Sequence, residues 1–278
     1  MGYREIPPVA PLSRVVECFW TLEGEAMGPS SPERILPDGC VELILNFGAA
    51  FEQHCEDGPR LQPRNFLVGQ MTGPIMISPT ARVELLGIRF HPGGTLPFLR
   101  LPLQEITDQV VELGSLSSRL ERDLMQVTAE SSLLSERIKA VETLLIKYLT
   151  NDKRDSWLIA LAERIVDSRG LVSVDQLAND AGVSSRQLER RFLREVGVGP
   201  KLLGRIIRFQ QVFRAVEHCN SAWAEVAIEC GYYDQAHLIR DFNQFAQQTP
   251  AVLFSSQSAL TEAFTRKARR SDFYNTSV

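Results

Sequence analysis

One stretch of this chain occurs twice, and that repeat limits the fold more than any other feature. "LANDAGVSSRQLERRF" (177–192) can be laid over "VAIECGYYDQAHLIRDF" (226–242). Each copy opens on an apolar residue and an alanine, Leu177–Ala178 and Val226–Ala227, and places a glycine, Gly182 or Gly231, four residues after the alanine. Each closes on Leu-x-Arg-x-Phe, as Leu188, Arg190, Phe192 and Leu238, Arg240, Phe242, fifty residues apart, and Pro200 and Pro250 keep the same offset. The only slip is one extra residue in the second turn. A period this long is at the upper end of solenoid repeats, and an array needs more than two copies to close a core. A duplicated module fits better.

Each copy reads as a short helix, a glycine-containing turn and a second helix. Ser173 with Gln176, and Ser184 with Gln187, carry the capping-box spacing that opens a helix. Gly182 can take the left-handed backbone of the turn, and Gly231 and Asp234 take the turn and cap roles in the second copy. On a helix, Leu188, Phe192 and Val196 share one side, and Arg186, Arg190 and Arg194 form a stripe opposite, with Glu189 at its edge. In the second copy Leu238, Phe242 and Phe245 point inward and Arg240 outward. Ala236 shares that outward face, with His237, Asn243 and Gln244 beside it.

Between the copies runs "PKLLGRIIRFQQVFRAVEHC", with Pro200 suited to a helix start. Leu203, Ile206, Ile207, Phe213 and Val216 supply its apolar faces. From Arg186 to Arg214 there are eight Lys/Arg against Glu189 and Glu195, a local +6, in a chain of net charge -4. The negative charge is elsewhere: residues 1–155 hold 15 Lys/Arg and 21 Asp/Glu, whereas 156–256 hold 11 of each. A charge run alone is usually a solvated face. Here it is duplicated, capped at both helix starts and outward in both copies. Such a helix fits the DNA major groove, where an arginine can pair with both acceptors of a guanine edge, and the basic patch suits phosphate neutralisation.

The run "SVDQLANDAGVSSRQLERRFLREVGVGP", a linking helix and "WAEVAIECGYYDQAHLIRDFNQFAQQTP" together resemble the DNA-binding domain of AraC/XylS-type bacterial transcription regulators. The resemblance implies that the second helix of each module enters adjacent major-groove segments. Its base-facing positions fall on Arg186, Glu189 and Arg190, then Ala236, His237 and Arg240. Ser185, Gln187, Arg194, Lys201, Arg205 and Gln235 are the expected DNA-backbone set. Ala236 could meet only a thymine methyl, and Glu189 could accept from cytosine N4, so the second module is expected to read less sequence than the first. RNA polymerase is the further partner the resemblance implies.

The first hundred residues read as sheet. "CVELILNFG" alternates Val41, Leu43, Leu45 and Phe47 against Glu42, Ile44 and Asn46, the pattern of a strand with one buried face. "NFLVGQMTG" and "ARVELLGIRF" are further strand-like runs closed by turn residues. From about Leu116 the period lengthens, and in "SSLLSERIKAVETLLIKYLT" Leu134, Ile138, Val141, Leu145 and Tyr148 make one apolar helix face. That face is either core or a homodimer seam. "LPDGCVELILNFG", "LVGQMTGP" and "GIRFHPGGTLPFLRLPLQEITDQVVELGSL" look like an N-terminal domain found in a subset of these regulators, which implies effector sensing or oligomerisation and names no ligand. The expected architecture is therefore α+β: a β-rich barrel or sandwich with trailing helices (1–152), an all-α double helix-turn-helix domain (153–256) and a basic tail (257–278).

Composition excludes several classes. No run of eighteen apolar residues exists and the N-terminus lacks a signal layout, so a cytoplasmic protein with no membrane partner is expected. Five scattered cysteines, Cys18, Cys40, Cys55, Cys219 and Cys230, read as reduced thiols, and no CxxC pair offers zinc ligands. A metal-dependent enzyme would need clustered ligands, and the N-terminal half offers only the widely separated His54 and His91. A DNA-repair methyl acceptor would need a cysteine layout that Cys18, Cys40 and Cys55 do not match. Neither enzyme, metal nor cofactor is expected.

Overall fold

The computed structural model describes residues 2–25, 32–131, 133–150, 157–218 and 222–255. The polar stretch at 151–156, Cys219 and the basic tail lie outside the described residues.

The N-terminal unit is built on ten strands: β1 (Gly2–Ile6), β2 (Val16–Gly24), β3 (Glu33–Ile35), β4 (Val41–Asn46), β5 (Phe51–Cys55), β6 (Gly58–Leu61), β7 (Asn65–Val68), β8 (Ile75–Pro79), β9 (Val83–Phe90) and β10 (Val110–Glu112). They form two antiparallel sheets, a six-stranded one ordered β1-β2-β9-β4-β7-β10 and a four-stranded one ordered β3-β8-β5-β6. Helices α1 (Leu113–Ala129) and α2 (Leu134–Thr150) follow and cover the outer face of the larger sheet. The combination is α+β, with helices trailing a sheet-on-sheet sandwich.

The alternation read in "CVELILNFG" is present, but the one-sided burial inferred from it is not. Leu43 and Leu45 pack into the core shared with the helices, whereas Ile44 is buried in a second core between the two sheets. With β9 on one side and β7 on the other, β4 is central and covered on both faces. A charged residue is therefore also drawn inside: Glu42 lies opposite Arg89 across the β4–β9 ladder. On the same inner face, Gly87 lies directly against Trp20. A Cβ there would fall 1.9 Å from Trp20 Cε2, so only glycine lets the buried indole sit flat on the strand.

The apolar stripe of α2 is spent inside this unit. Leu134, Ile138, Val141, Leu144 and Leu145 are all buried in the helix-facing core, and Tyr148 donates to Asp123 of α1 at 2.7 Å. The stripe is core packing and not a homodimer seam.

The C-terminal unit comprises α3 (Trp157–Asp167), α4 (Val174–Asp180), α5 (Ser185–Val196), α6 (Pro200–His218), α7 (Trp223–Glu229), α8 (Gln235–Phe245) and α9 (Pro250–Ser255). Each repeat copy has its own apolar cluster. One gathers Leu158, Leu161, Ile165, Leu177, Leu188 and Phe192; the other gathers Phe209, Phe213, Val226, Leu238, Phe242 and Phe245. Helix α6 contributes to both, through Leu203 and Ile207 to the first and Ile206 and Phe209 to the second. In the second cluster Phe209 meets Phe242 edge-on at 4.8 Å and Phe213 at 5.3 Å, geometries that add to the burial itself. The two units also share packing. Ile159 of α3 belongs to the N-terminal core, and Leu36 belongs to the second C-terminal cluster.

Candidate nucleic-acid interface

Both repeat copies fold as a helix, a tight turn and a second helix. Ser173 and Ser184 each cap their helix in full capping boxes: the Ser oxygen accepts from the backbone N–H of Gln176 or Gln187, and that glutamine reaches back to the cap backbone. Gly182 and Gly231 turn the chain at φ +64° and +77°, the left-handed region that favours glycine. Asp234 caps α8 by accepting from the His237 N–H at 2.7 Å. These caps fix the rotation of α5 and α8. Leu188, Phe192 and Val196 are at 0% exposure, as are Leu238, Phe242 and Phe245.

The eight basic residues from Arg186 to Arg214 divide into two groups. Arg186, Arg190 and Arg194 along α5, and Lys201 at the start of α6, are exposed, and they have no ion-pair or hydrogen-bond partner among the described residues. The other four are used internally. Arg191 pairs with Glu195 at 2.8 Å and lies 5.2 Å from the Trp157 ring centroid. Arg208 donates to the Gly170 carbonyl and faces the Tyr232 ring. Arg214 donates to Gln211. Arg205 donates to the Asp241 carboxylate at 2.7 Å and to Gln244 at 2.6 Å.

Arg240 and Ala236 are exposed on α8, and Arg240 Nε donates to the Ala236 carbonyl one turn back. Gln235 is exposed at the first turn of α8, and His237 is half-buried with its ring edge-on to Tyr232. Ser185 donates to Asp175, which ties α5 to α4, and Gln187 is spent in the capping box. Glu189 is exposed, but its carboxylate folds over the start of α6, where a Cβ on Gly199 would fall 2.1 Å from Oε1. A carboxylate is favoured there by the positive end of the α6 dipole. Exposed Arg186, Arg190, Arg194 and Arg240 thus stay on the outer face, while Arg205, Ser185 and Gln187 are tied into the scaffold. Sequence reasoning missed Tyr233, 87% exposed immediately before the α8 cap. Its signal was an aromatic residue inside a polar turn. Further inward, burial and the nearby Glu229 push the Cys230 thiol up to about 12, which keeps it protonated in the core.

Residues 177–255 match the family described as Helix-turn-helix domain. Residues 177–255 of the C-terminal unit are a helix-turn-helix domain. Residues 4–112 match a Domain of unknown function (DUF6597). No curated protein matches the chain. Among solved structures, ToxT from Vibrio cholerae is similar at 11% identity and a TM-score of 0.45, covering 86% of this chain and 99% of that one. ToxT from Vibrio cholerae O395 bound to (E)-4-(8-methylnaphthalen-1-yl)but-3-enoic acid is similar at 10% identity, TM-score 0.45, with 85% and 98% covered. The AraC-like transcriptional activator CuxR is similar at 12% identity, TM-score 0.24, with 78% and 86% covered. Within this helix-turn-helix domain, the outward arginines occupy the second helix of each module, the helix that enters the groove in helix-turn-helix proteins.

The N-terminal unit contains a cavity of about 50 Å³ between its two sheets. Its walls include Trp20, Phe51, Phe66, Ile77 and Leu85, with Asp38, Glu42 and Arg89 at one end. Arg89 is 1% exposed and pairs with Glu42 at 2.5 Å, Glu5 at 3.1 Å and Asp38 at 3.4 Å. Burial alone would lower its pKa, but Glu42 and the other anions outweigh that and hold it raised. Among the described residues no group of His, Cys, Asp and Glu is arranged to hold a metal, and no helix is long and apolar enough to cross a membrane.

Proposed function

We propose that this protein is a DNA-binding transcription regulator whose helices α5 and α8 read adjacent major-groove segments of a promoter or operator. The observation that carries the reading is the division of the basic residues. Four cations are consumed by the scaffold, whereas Arg186, Arg190 and Arg194 lie along one exposed helix face with no partner among the described residues. Outward charges of this kind suit an external anion, and their one-turn spacing along a helix suits a groove. Arg186 and Arg190 then serve as base readers, Arg194 and Lys201 as phosphate contacts, and Arg240 as the principal reader of the second module. Glu189 acts by holding the α5–α6 junction. Tyr233 joins the set as an exposed aromatic at the entry to α8.

The inter-sheet cavity is the proposed effector site. Its apolar walls and its two carboxylates against one guanidinium favour a small ligand with an apolar body and one cationic or hydrogen-bond-donating group. RNA polymerase is the proposed protein partner, the cytoplasm the proposed compartment, and regulation rather than catalysis the proposed activity. Any homodimer would use a surface other than the α2 stripe.

Selection of the full-length protein against a random duplex library tests the DNA reading. A recovered motif with two blocks, one per module, is expected; recovery of sequence-independent DNA alone would refute it. A thermal-shift screen tests the effector reading. Small apolar amines should raise the melting temperature more than the matching carboxylic acids, and the reverse order would refute the assigned ligand class.

A further inference from the structure

The carbonyl at the C-terminal end of each recognition helix is held by a side chain of the N-terminal unit. Helix α5 is capped at its C-terminal end by Gly197, whose carbonyl accepts from Thr107 Oγ1 at 2.8 Å. Helix α8 is capped at its C-terminal end by Ala246, whose carbonyl accepts from Arg34 Nη1 at 2.7 Å. The last carbonyls of a helix lack intrahelical partners, and a cation there also complements the helix dipole. Gln70 packs on the first of these ends, since a Cβ on Gly197 would fall 3.1 Å from its Cγ.

The two holding points belong to different parts of the sandwich. Arg34 lies on β3 of the four-stranded sheet, while Thr107 follows the 3-10 turn Leu103–Ile106 that leads into β10 of the six-stranded sheet. The separation of these points is therefore set by how the two sheets pack. We infer that Arg34 and Thr107 are positioning residues that fix the spacing of α5 and α8, so that the N-terminal unit decides which half-site spacing the protein accepts. The inference rests on the DNA reading above. It also gives the cavity a route to the DNA. Ile35, Leu36 and Met71 line the cavity and are direct chain neighbours of Arg34, Pro37 and Gln70. Pro37 accepts from Gln210 of α6 at 2.5 Å. A ligand that moves the sheets apart therefore changes the separation of the two holding points.

The alternative device is α6 alone, a continuous helix that joins the two modules and holds α8 through Arg205. The two are separated by binding measurements on the full chain with the selected operator and with versions carrying one base pair added or removed between its blocks. The wild type should reject the altered spacings by about tenfold or more, as a groove register error demands. Arg34→Ala with Thr107→Val should bring all spacings within about threefold of one another, with the base preference inside each block unchanged. Arg34→Lys, which keeps a donor, should restore most of the discrimination. Thr107→Val alone is a conservative, half-exposed change, and it should flatten the profile in part even if the double variant does not fold. An unchanged spacing profile in folded variants would overturn the inference, and so would equal loss at every spacing. If the wild type selects no motif at all, the DNA reading fails first and the inference falls with it; a motif with an unaltered profile fails the inference alone.

Discussion

Two arginines of the same sequence patch have opposite fates, and the difference lies in what faces them. Arg190 is exposed and has no partner among the described residues, so Arg190→Ala should cost roughly 1–3 kcal/mol of binding and relax preference at one base position. Arg240→Ala should do the same in the second block, measured by anisotropy titration against base-substituted operators; equal loss on every sequence would remove the readout role. Arg205 instead neutralises Asp241, a carboxylate that is 1% exposed. Arg205→Ala leaves that carboxylate buried without its cation, and should lower stability by about 1–3 kcal/mol in urea unfolding. Lys201→Ala should instead reduce the slope of log affinity against log salt by about one unit, with stability unchanged. Spacing along the sequence cannot separate these cases, because Arg205 and Asp241 sit on helices far apart in the chain and meet only after folding.

At the scale of the element, the helix starts were the most legible feature. Ser184 and Gln187 are local in sequence, and a capping box is a local interaction, so pattern and structure agree. Ser184→Ala should cost about 0.5–2 kcal/mol in thermal or urea unfolding. Because the cap sets where α5 begins, the same change should weaken operator binding by more than the loss of folded protein explains. Strand β4 was legible only in part. Its alternation is local, but whether the second face meets water depends on the four-stranded sheet that folds over it. The α2 stripe has the same ambiguity in helical form: the period is written in the sequence, and the partner surface is not.

For the whole molecule, the joint between the units is the deciding feature. Gly39, at φ +82°, lies against α6, where a Cβ would fall 3.1 Å from Leu203 Cδ1 and 3.2 Å from Ile207 Cδ1. Ile159 crosses the other way into the N-terminal core. Gly39→Val should force this joint apart, lower the melting temperature and split a single unfolding transition into two, as seen by calorimetry. A single unshifted transition would show that the joint contributes little. By itself, the sequence determined the duplicated helix-turn-helix, its caps, the outward face of each recognition helix and the β-rich character of the first half. All of these follow from residue types within a few positions of one another. The tertiary structure alone decided which cations of the basic patch face outward and which are tied into the scaffold, where Glu189 lies, that β4 is covered on both faces, and that Arg34 and Thr107 hold the ends of α5 and α8. Most of these depend on contacts between residues distant in the chain, such as Arg205 with Asp241 and Arg34 with Ala246, which no periodicity records.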